Sequence, residues 1–468
     1  MAKQPHYCRL TIGPGLIALL LWLNTGLAQT AEEHNDSGLS QYREKHFQEA
    51  IGSFGRALQL EPDNSTVRSN LMIAYHGYAI QQSERGAIEQ AIETERHAFA
   101  LDETNQVIRT QLALLYNDYG RQTARTGDVA RARILLAEAM TLQPENRLFV
   151  TNMCTLMIQE ARGLQKKGND ENCSRLLNEA AALNPDSFPV QTELGEYYYS
   201  KNDYPASIRS FERAFDLNPF ATNVADKLLQ IRKESSVEKE FGKNERSRFI
   251  IKYESGVNEN LSWNISGILE DAYRDIGQKL ECWPKAPMTV VIYSKEQFTV
   301  VTSAPDWTIG RFDGKLRICA SDLTLDKETL KSVVRHEYSH ALVFDLYGVT
   351  IPLWINEGFA QYAANDKALT ANDTTLLHDI GENNLVPPWD LNRNFNSTNQ
   401  VEVAQAYLES RLCVKYLFER YGNAVSRQFI TESSKGTALG DITSSMFNKT
   451  PEQLYDEWMV ELKKQMKH

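Results

Sequence analysis

Pro62, Pro144, Pro185 and Pro219 fall at intervals of 82, 41 and 34 residues, and Glu103 occupies the missing midpoint of the first interval. Between them a small–large–small pattern recurs, as Ala50-Phe54-Ala57, Ala132-Leu136-Ala139 and Ser207-Phe211-Ala214. Residues three and four apart share one helix face, so each triplet marks a helix burying a bulky side chain between two small ones. One helical hairpin cannot bury its apolar face alone, so self-similarity of this period restricts residues 31–235 to stacked hairpins. About five units fit the segment, and residues 221–233 read as a capping helix. The 41-residue units carry about two extra turns, expected to be shared between the two helices of each hairpin. Cys154 and Cys173 fall at small positions where paired helices touch. They are the candidate disulfide pair, the alternative being two small buried residues.

This pattern resembles the tetratricopeptide repeats, whose usual length matches the last interval. Leu194-Gly195 and Tyr198 fit the first helix of such a unit. The resemblance implies an all-α solenoid whose concave face takes a peptide or protein partner, or which serves as a spacer.

The second half changes character. A charged run, Arg232 to Glu240, reads as a helix extension or linker, with the linker placed at 236–247. Phe249-Ile250-Ile251 and Met288 to Ile292 read as strands around a helix near 260–281. Gly310 to Ala320 reads as a turn followed by a short strand, and residues 355–468 as mostly helical. An α+β domain over 248–468 is therefore expected.

Within it stands His336-Glu337-Tyr338-Ser339-His340, in a chain with nine histidines. On a helix the two histidines share a face and reach one metal ion, while Glu337 beside them reaches a metal-bound water. Asp326 is placed to cap this helix, with Leu325 and Leu330 as a hydrophobic staple. Leu330, Val333, Val334, Ala341 and Val343 or Phe344 supply apolar packing. Gly348 and Pro352 supply the stop. A second helix is expected to start near Asn356, placing Glu357 in its first turn. Two histidines and one glutamate leave a fourth zinc position open, the catalytic pattern. A third histidine six residues after His340 would mark a metzincin, but that position is Leu346. No cysteine cluster has zinc-finger spacing, and His378 reads as a solvated loop residue.

His336 to His340, with Leu353-Trp354-Ile355-Asn356-Glu357-Gly358-Phe359-Ala360-Gln361-Tyr362, resembles the gluzincin clan of metallopeptidases, most nearly the peptidase MA-like family. The likeness runs over about residues 248–465 and implies a thermolysin-like fold with a helical C-terminal part. It implies one Zn²⁺ held by His336, His340 and Glu357, with Glu337 as general base. In related aminopeptidases a tyrosine before a later helix bonds the developing oxyanion, and Tyr407 in Ala406-Tyr407-Leu408-Glu409-Ser410 is its match. The resemblance places the 310–320 strand at the sheet edge above the metal. The Gly-x-Met-Glu-Asn strand with which those aminopeptidases read a free amino terminus has no counterpart between residues 285 and 335. An endopeptidase acting on a peptide or protein is therefore expected, ahead of an aminopeptidase or an inactive binding scaffold.

Net charge is -11 over 468 residues, with no basic patch interleaved with aromatics, so nucleic acid is excluded as a partner. Lys3 and Arg9, the apolar run Leu16 to Leu23, and Gly26-Leu27-Ala28 read as an export signal over residues 1–28. A periplasmic or secreted protein is expected, with membrane attachment only if that segment stays uncleaved.

Overall fold

The computed structural model describes residues 29–246, 248–255, 259–281, 283–284, 287–304, 309–320, 327–348, 351–364, 371–381 and 385–465. The segment 1–28, Cys282, Leu325, Asp326 and His468 lie outside these residues, and with them the signal and the cap read from sequence. The chain forms two compact units, one running up to Gly163 with Glu171–Glu193, the other holding Leu164–Asp170 and Leu194–His468.

The first half is a run of helices: α1 (Ala31–Arg43), α2 (Phe47–Leu60), α3 (Ser65–Glu84), α4 (Ile88–Leu101), α5 (Gln106–Arg125), α6 (Val129–Leu142), α7 (Arg147–Lys166), α8 (Asp170–Leu183), α9 (Phe188–Ser200), α10 (Tyr204–Leu217) and α11 (Thr222–Val237). These are helical-hairpin repeats, with each even-numbered helix from α2 to α10 14 residues long. The first helices of the hairpins are 13 residues long in α1 and α9 but 20 in α3, α5 and α7. The extra turns therefore sit wholly in the first helix rather than being shared. Seven residues make almost two full turns, so the lengthened helices keep the same face toward their partners. On that face Gly38, Gly120 and Gly195 lie against Phe54, Leu136 and Phe211 of the second helices, and Ala79 with Glu95 and Ala161 with Leu177 hold the equivalent positions in the repeat. A Cβ built at Gly38 would lie 2.6 Å from the Phe54 ring, and one at Gly195 2.7 Å from Phe211. In the second hairpin the bulky slot holds fully buried Glu95, whose Oε1 is 2.8 Å from His76 Nδ1. Asn64, Asn105 and Asn146, each two residues after Pro62, Glu103 and Pro144, accept backbone N–H bonds at the next helix start. Cys154 and Cys173 are buried thiols with no disulfide between them. Cys154 Sγ instead lies 3.7 Å from the Ala180 carbonyl, and burial pushes its thiol up to about 11.

The second unit contains α9 from Leu194, α10, α11 and a five-stranded sheet, with strands β1 (Phe241–Glu245), β2 (Phe249–Glu254), β3 (Met288–Tyr293), β4 (Gly310–Phe312) and β5 (Leu316–Cys319) in the order β1-β2-β3-β5-β4. Segment 236–247, read as a linker, thus supplies a sheet strand, and the charged run before it buries Glu234 and Glu238. The central pairs β2–β3 and β3–β5 are parallel, while β1 and β4 pair antiparallel at the edges. The strand read as the edge, β5, is interior, and the edge belongs to β4.

Side chains alternate across a strand. Leu316 and Ile318 pack with α12 (Glu259–Leu280) and α14 (Lys327–Tyr347) on one face. On the other, Cys319 joins Val291, Tyr293 and Phe298 of α13 (Lys295–Thr302), with Val237 of α11 against them. After α14 come α15 (Leu353–Ala364), α16 (Ala371–Ile380), a 3-10 segment (Pro388–Asn396), α17 (Gln400–Ser434, broken at Gly422 with φ 80), α18 (Leu439–Phe447) and α19 (Pro451–Gln465). No helix among the described residues is long and apolar enough to cross a membrane.

Candidate metal centre

Helix α14 packs Leu330, Val334, Tyr338, Leu342 and Val343 into the core against the sheet and buries Ala341 as well. Ser339, fully buried, bonds the Arg335 carbonyl at 2.7 Å, and Arg335 reaches Asp275 of α12 and the Ala363 carbonyl of α15. With that face committed inward, His336, Glu337 and His340 turn toward a cavity of about 390 Å³. The helix ends at Gly348, whose φ of +72° favours glycine. Of the two residues expected to complete its packing, Val343 is buried, while Phe344 is 45% exposed and meets Phe312 of β4 edge-on at 5.5 Å.

Helix α15 starts at Leu353, three residues before the expected start, so Glu357 lies in its second turn. Trp354, Ile355 and Phe359 anchor it in the core. Gly358 lets it approach α17, since a Cβ there would sit 2.4 Å from the Ser410 carbonyl oxygen. Glu357 is thereby delivered to the histidine pair. His336 Nε2 and His340 Nε2 are 3.1 Å apart, and Glu357 Oε2 is 3.6 Å from the first and 3.5 Å from the second. Tetrahedral zinc with bonds of roughly 2.1 Å spaces its ligands by roughly 3.4 Å, so this triangle fits the ion. Apart from these two long histidine contacts, Glu357 Oε2 is buried with no hydrogen-bond partner among the described residues, an acceptor of the kind a cation satisfies. These three are the only cluster of metal-ligand type among the described residues.

Asn356, absent from the sequence-based set, accepts from His340 Nδ1–H at 3.2 Å, the tautomer that leaves the Nε2 lone pair available to a metal. Its position directly before Glu357 was its one visible signal. Gly310 was also missed as a site residue. A Cβ there would lie 2.6 Å from Glu337 Cγ and 2.8 Å from Oε1, so edge strand β4 runs directly against the candidate base. Tyr407 lines the same cavity, in contact with Phe395 at 5.1 Å. It stands inside α17, two turns from the start, rather than before a helix. His378 lies in the last turn of α16, 89% exposed and beside Asp379.

Burial dominates the electrostatics. It pushes Glu337 up to about 7, with Glu357 adding to the rise and His340 opposing it. Burial and neighbouring His340 hold His336 down at about 4. For His340 burial also pulls down, but Glu357, Glu337 and Asn356 outweigh it and hold the ring up at about 9. Glu357 is raised by burial yet falls below the usual carboxylate range because both histidines favour its anion. Burial and the two nearby carboxylates push Tyr407 up to about 12, so it stays a donor at neutral pH.

No protein-family model matches the chain, and no curated protein matches it. Among solved structures, a TPR repeats protein from Bacteroides fragilis is 12% identical, with 44% of this chain and 98% of that one covered and a TM-score of 0.32. A thermophilic TPR protein of Thermus thermophilus is 18% identical over 43% of this chain and 99% of its own, with a TM-score of 0.19. A complex of yeast Sti1 shows 16% identity over 44% and 85%, with a TM-score of 0.17. Scores this low carry no weight, and the hairpin repeats rest on the helices themselves.

Proposed function

We propose that the second unit is a zinc-dependent peptidase cutting within peptide chains. The reading is supported above all by the convergence of His336, His340 and Glu357 on one point, with Glu337 and Tyr407 lining the same cavity. Two imidazoles and one carboxylate with a fourth position free are the donor set of a catalytic zinc. When bound, zinc polarises a carbonyl and lowers the pKa of water.

The chain's own residues supply the rest. Glu337, buried beside the ligands at the cavity wall, takes a proton from water and returns it to the leaving amine. Tyr407 O–H donates to the oxygen that becomes negative in the transition state. The edge of β4, unpaired among the described residues, offers main-chain groups to an extended substrate. The repeat hairpins offer a surface for a protein partner. The test is hydrolysis of peptides blocked at both ends. Cleavage that stops on chelation and returns with added zinc is expected. Cleavage restricted to unblocked aminoacyl substrates would replace this reading with an aminopeptidase.

A further inference from the structure

A block of charge is buried on the face of the sheet turned away from α14. Arg317 of β5, fully buried, donates from Nε to both oxygens of Asp313 at 3.0 Å, from Nη1 to Tyr293 Oη at 2.8 Å, and from Nη2 to Tyr199 Oη at 3.1 Å and Glu234 Oε1 at 2.8 Å. Lys315, also buried, reaches Glu234 Oε2 at 3.2 Å and Tyr204 Oη at 3.0 Å. Glu238 accepts from Tyr204 and Tyr293 and pairs with Lys252. Glu234, Glu238 and Asp313 thus face Lys252, Lys315 and Arg317. Buried ions persist when they are paired and hydrogen-bonded on every side.

The block is off the metal site, but one arm leads there. Asp313 directly follows β4, a three-residue strand paired on one side only among the described residues. Its hairpin pairing with β5, Arg311 Nη1 on the Thr302 carbonyl at 2.9 Å and Phe312 against Phe344 hold so short an edge, and Asp313 ties its end to the buried block. This edge places Gly310 against Glu337, and Arg311 and Phe312 in the cavity wall. We infer that Arg317, fixed by Tyr199 of α9 and Glu234 of α11, is a positioning residue that holds β4 through Asp313 as the rail for the substrate main chain. The last repeat helices then belong to the hydrolytic machinery. This rests on the peptidase reading.

The experiment uses the full chain, loaded with zinc and carrying Glu337→Gln so that substrate binds without being cut. To this background Asp313→Ala or Asp313→Glu is added, and Tyr199→Phe serves as a second variant in case the alanine protein fails to fold. Zinc content, amide deuterium exchange over residues 309–316 and the Kd for fluorescein-labelled β-casein are measured. Alanine is expected to leave zinc content unchanged, speed exchange at least tenfold and weaken casein binding at least fivefold, with glutamate recovering part of both. Tyr199→Phe is expected to do the same to a lesser degree. Unchanged exchange, an unchanged Kd or no casein binding at all overturns the inference. Cleavage of the same casein by the protein retaining Glu337 is read separately, so a chain that binds through β4 but never cuts sinks the peptidase reading alone.

Discussion

In the proposed peptidase, Glu337 is the residue on which the chemistry turns. Its carboxylate must be ionised to accept a proton, and burial raises its pKa from 4.5 to about 7 in the metal-free site. The anion, and with it the rate, is present above that pKa and lost as pH falls through it. Bound zinc adds positive charge nearby and moves the pKa back down. The acid limb of kcat/KM is therefore expected between pH 4.5 and about 7, as read from a pH–rate profile. Asn356→Ala frees the His340 ring and is expected to weaken zinc binding about 10–100-fold, measured by competition with a chelator. Tyr407→Phe keeps the ring against Phe395 and removes only the donor. A drop of about 10²–10³ in kcat with little change in KM is expected, in steady-state kinetics. An unchanged kcat would leave Tyr407 as packing alone. The histidine pair and its neighbouring acid were legible because four-residue spacing fixes a helix face wherever the helix lies. Asn356 was not legible as a partner, because its role depends on where α15 crosses α14.

Two glycines govern how elements meet at the site. Gly358→Ala drives a Cβ into the backbone of α17, which cannot yield as a side chain can. A loss of about 1–3 kcal/mol in chemical denaturation, with weakened zinc binding, is expected. Gly310→Ala meets only the flexible end of Glu337, so fold and zinc content are expected to survive while kcat falls, as Glu337 is pushed from its position. Periodicity revealed the hairpins and the triplets Ala50-Phe54-Ala57 and Ser207-Phe211-Ala214, all buried as read. It did not locate the two extra turns, because seven residues added to either helix preserve the same face. The edge strand was misassigned to β5 because β4 spans three residues, too few for alternation to register.

At the scale of the molecule, the sequence boundary near 236–247 was drawn from a charged run. Charge is usually solvated, but here Glu234 and Glu238 are buried among partners that include Tyr293, 55 residues from Glu238, and Arg317, 83 from Glu234, contacts no local pattern encodes. The compact units divide instead near residue 194. A ligand that binds only the folded state stabilises it by about 4 kcal/mol at a thousandfold excess over Kd. Chelation is therefore expected to lower the melting transition of the second unit and leave that of the first in place, as followed by calorimetry. The central claim is hydrolysis by Glu337 beside a zinc held by His336, His340 and Glu357. Its most direct test compares zinc-loaded protein with and without Glu337→Gln against an unstructured protein substrate. The account predicts equal zinc content and cleavage by the unaltered protein alone. Equal cleavage by the glutamine variant, or full zinc occupancy with no cleavage by either, would contradict it.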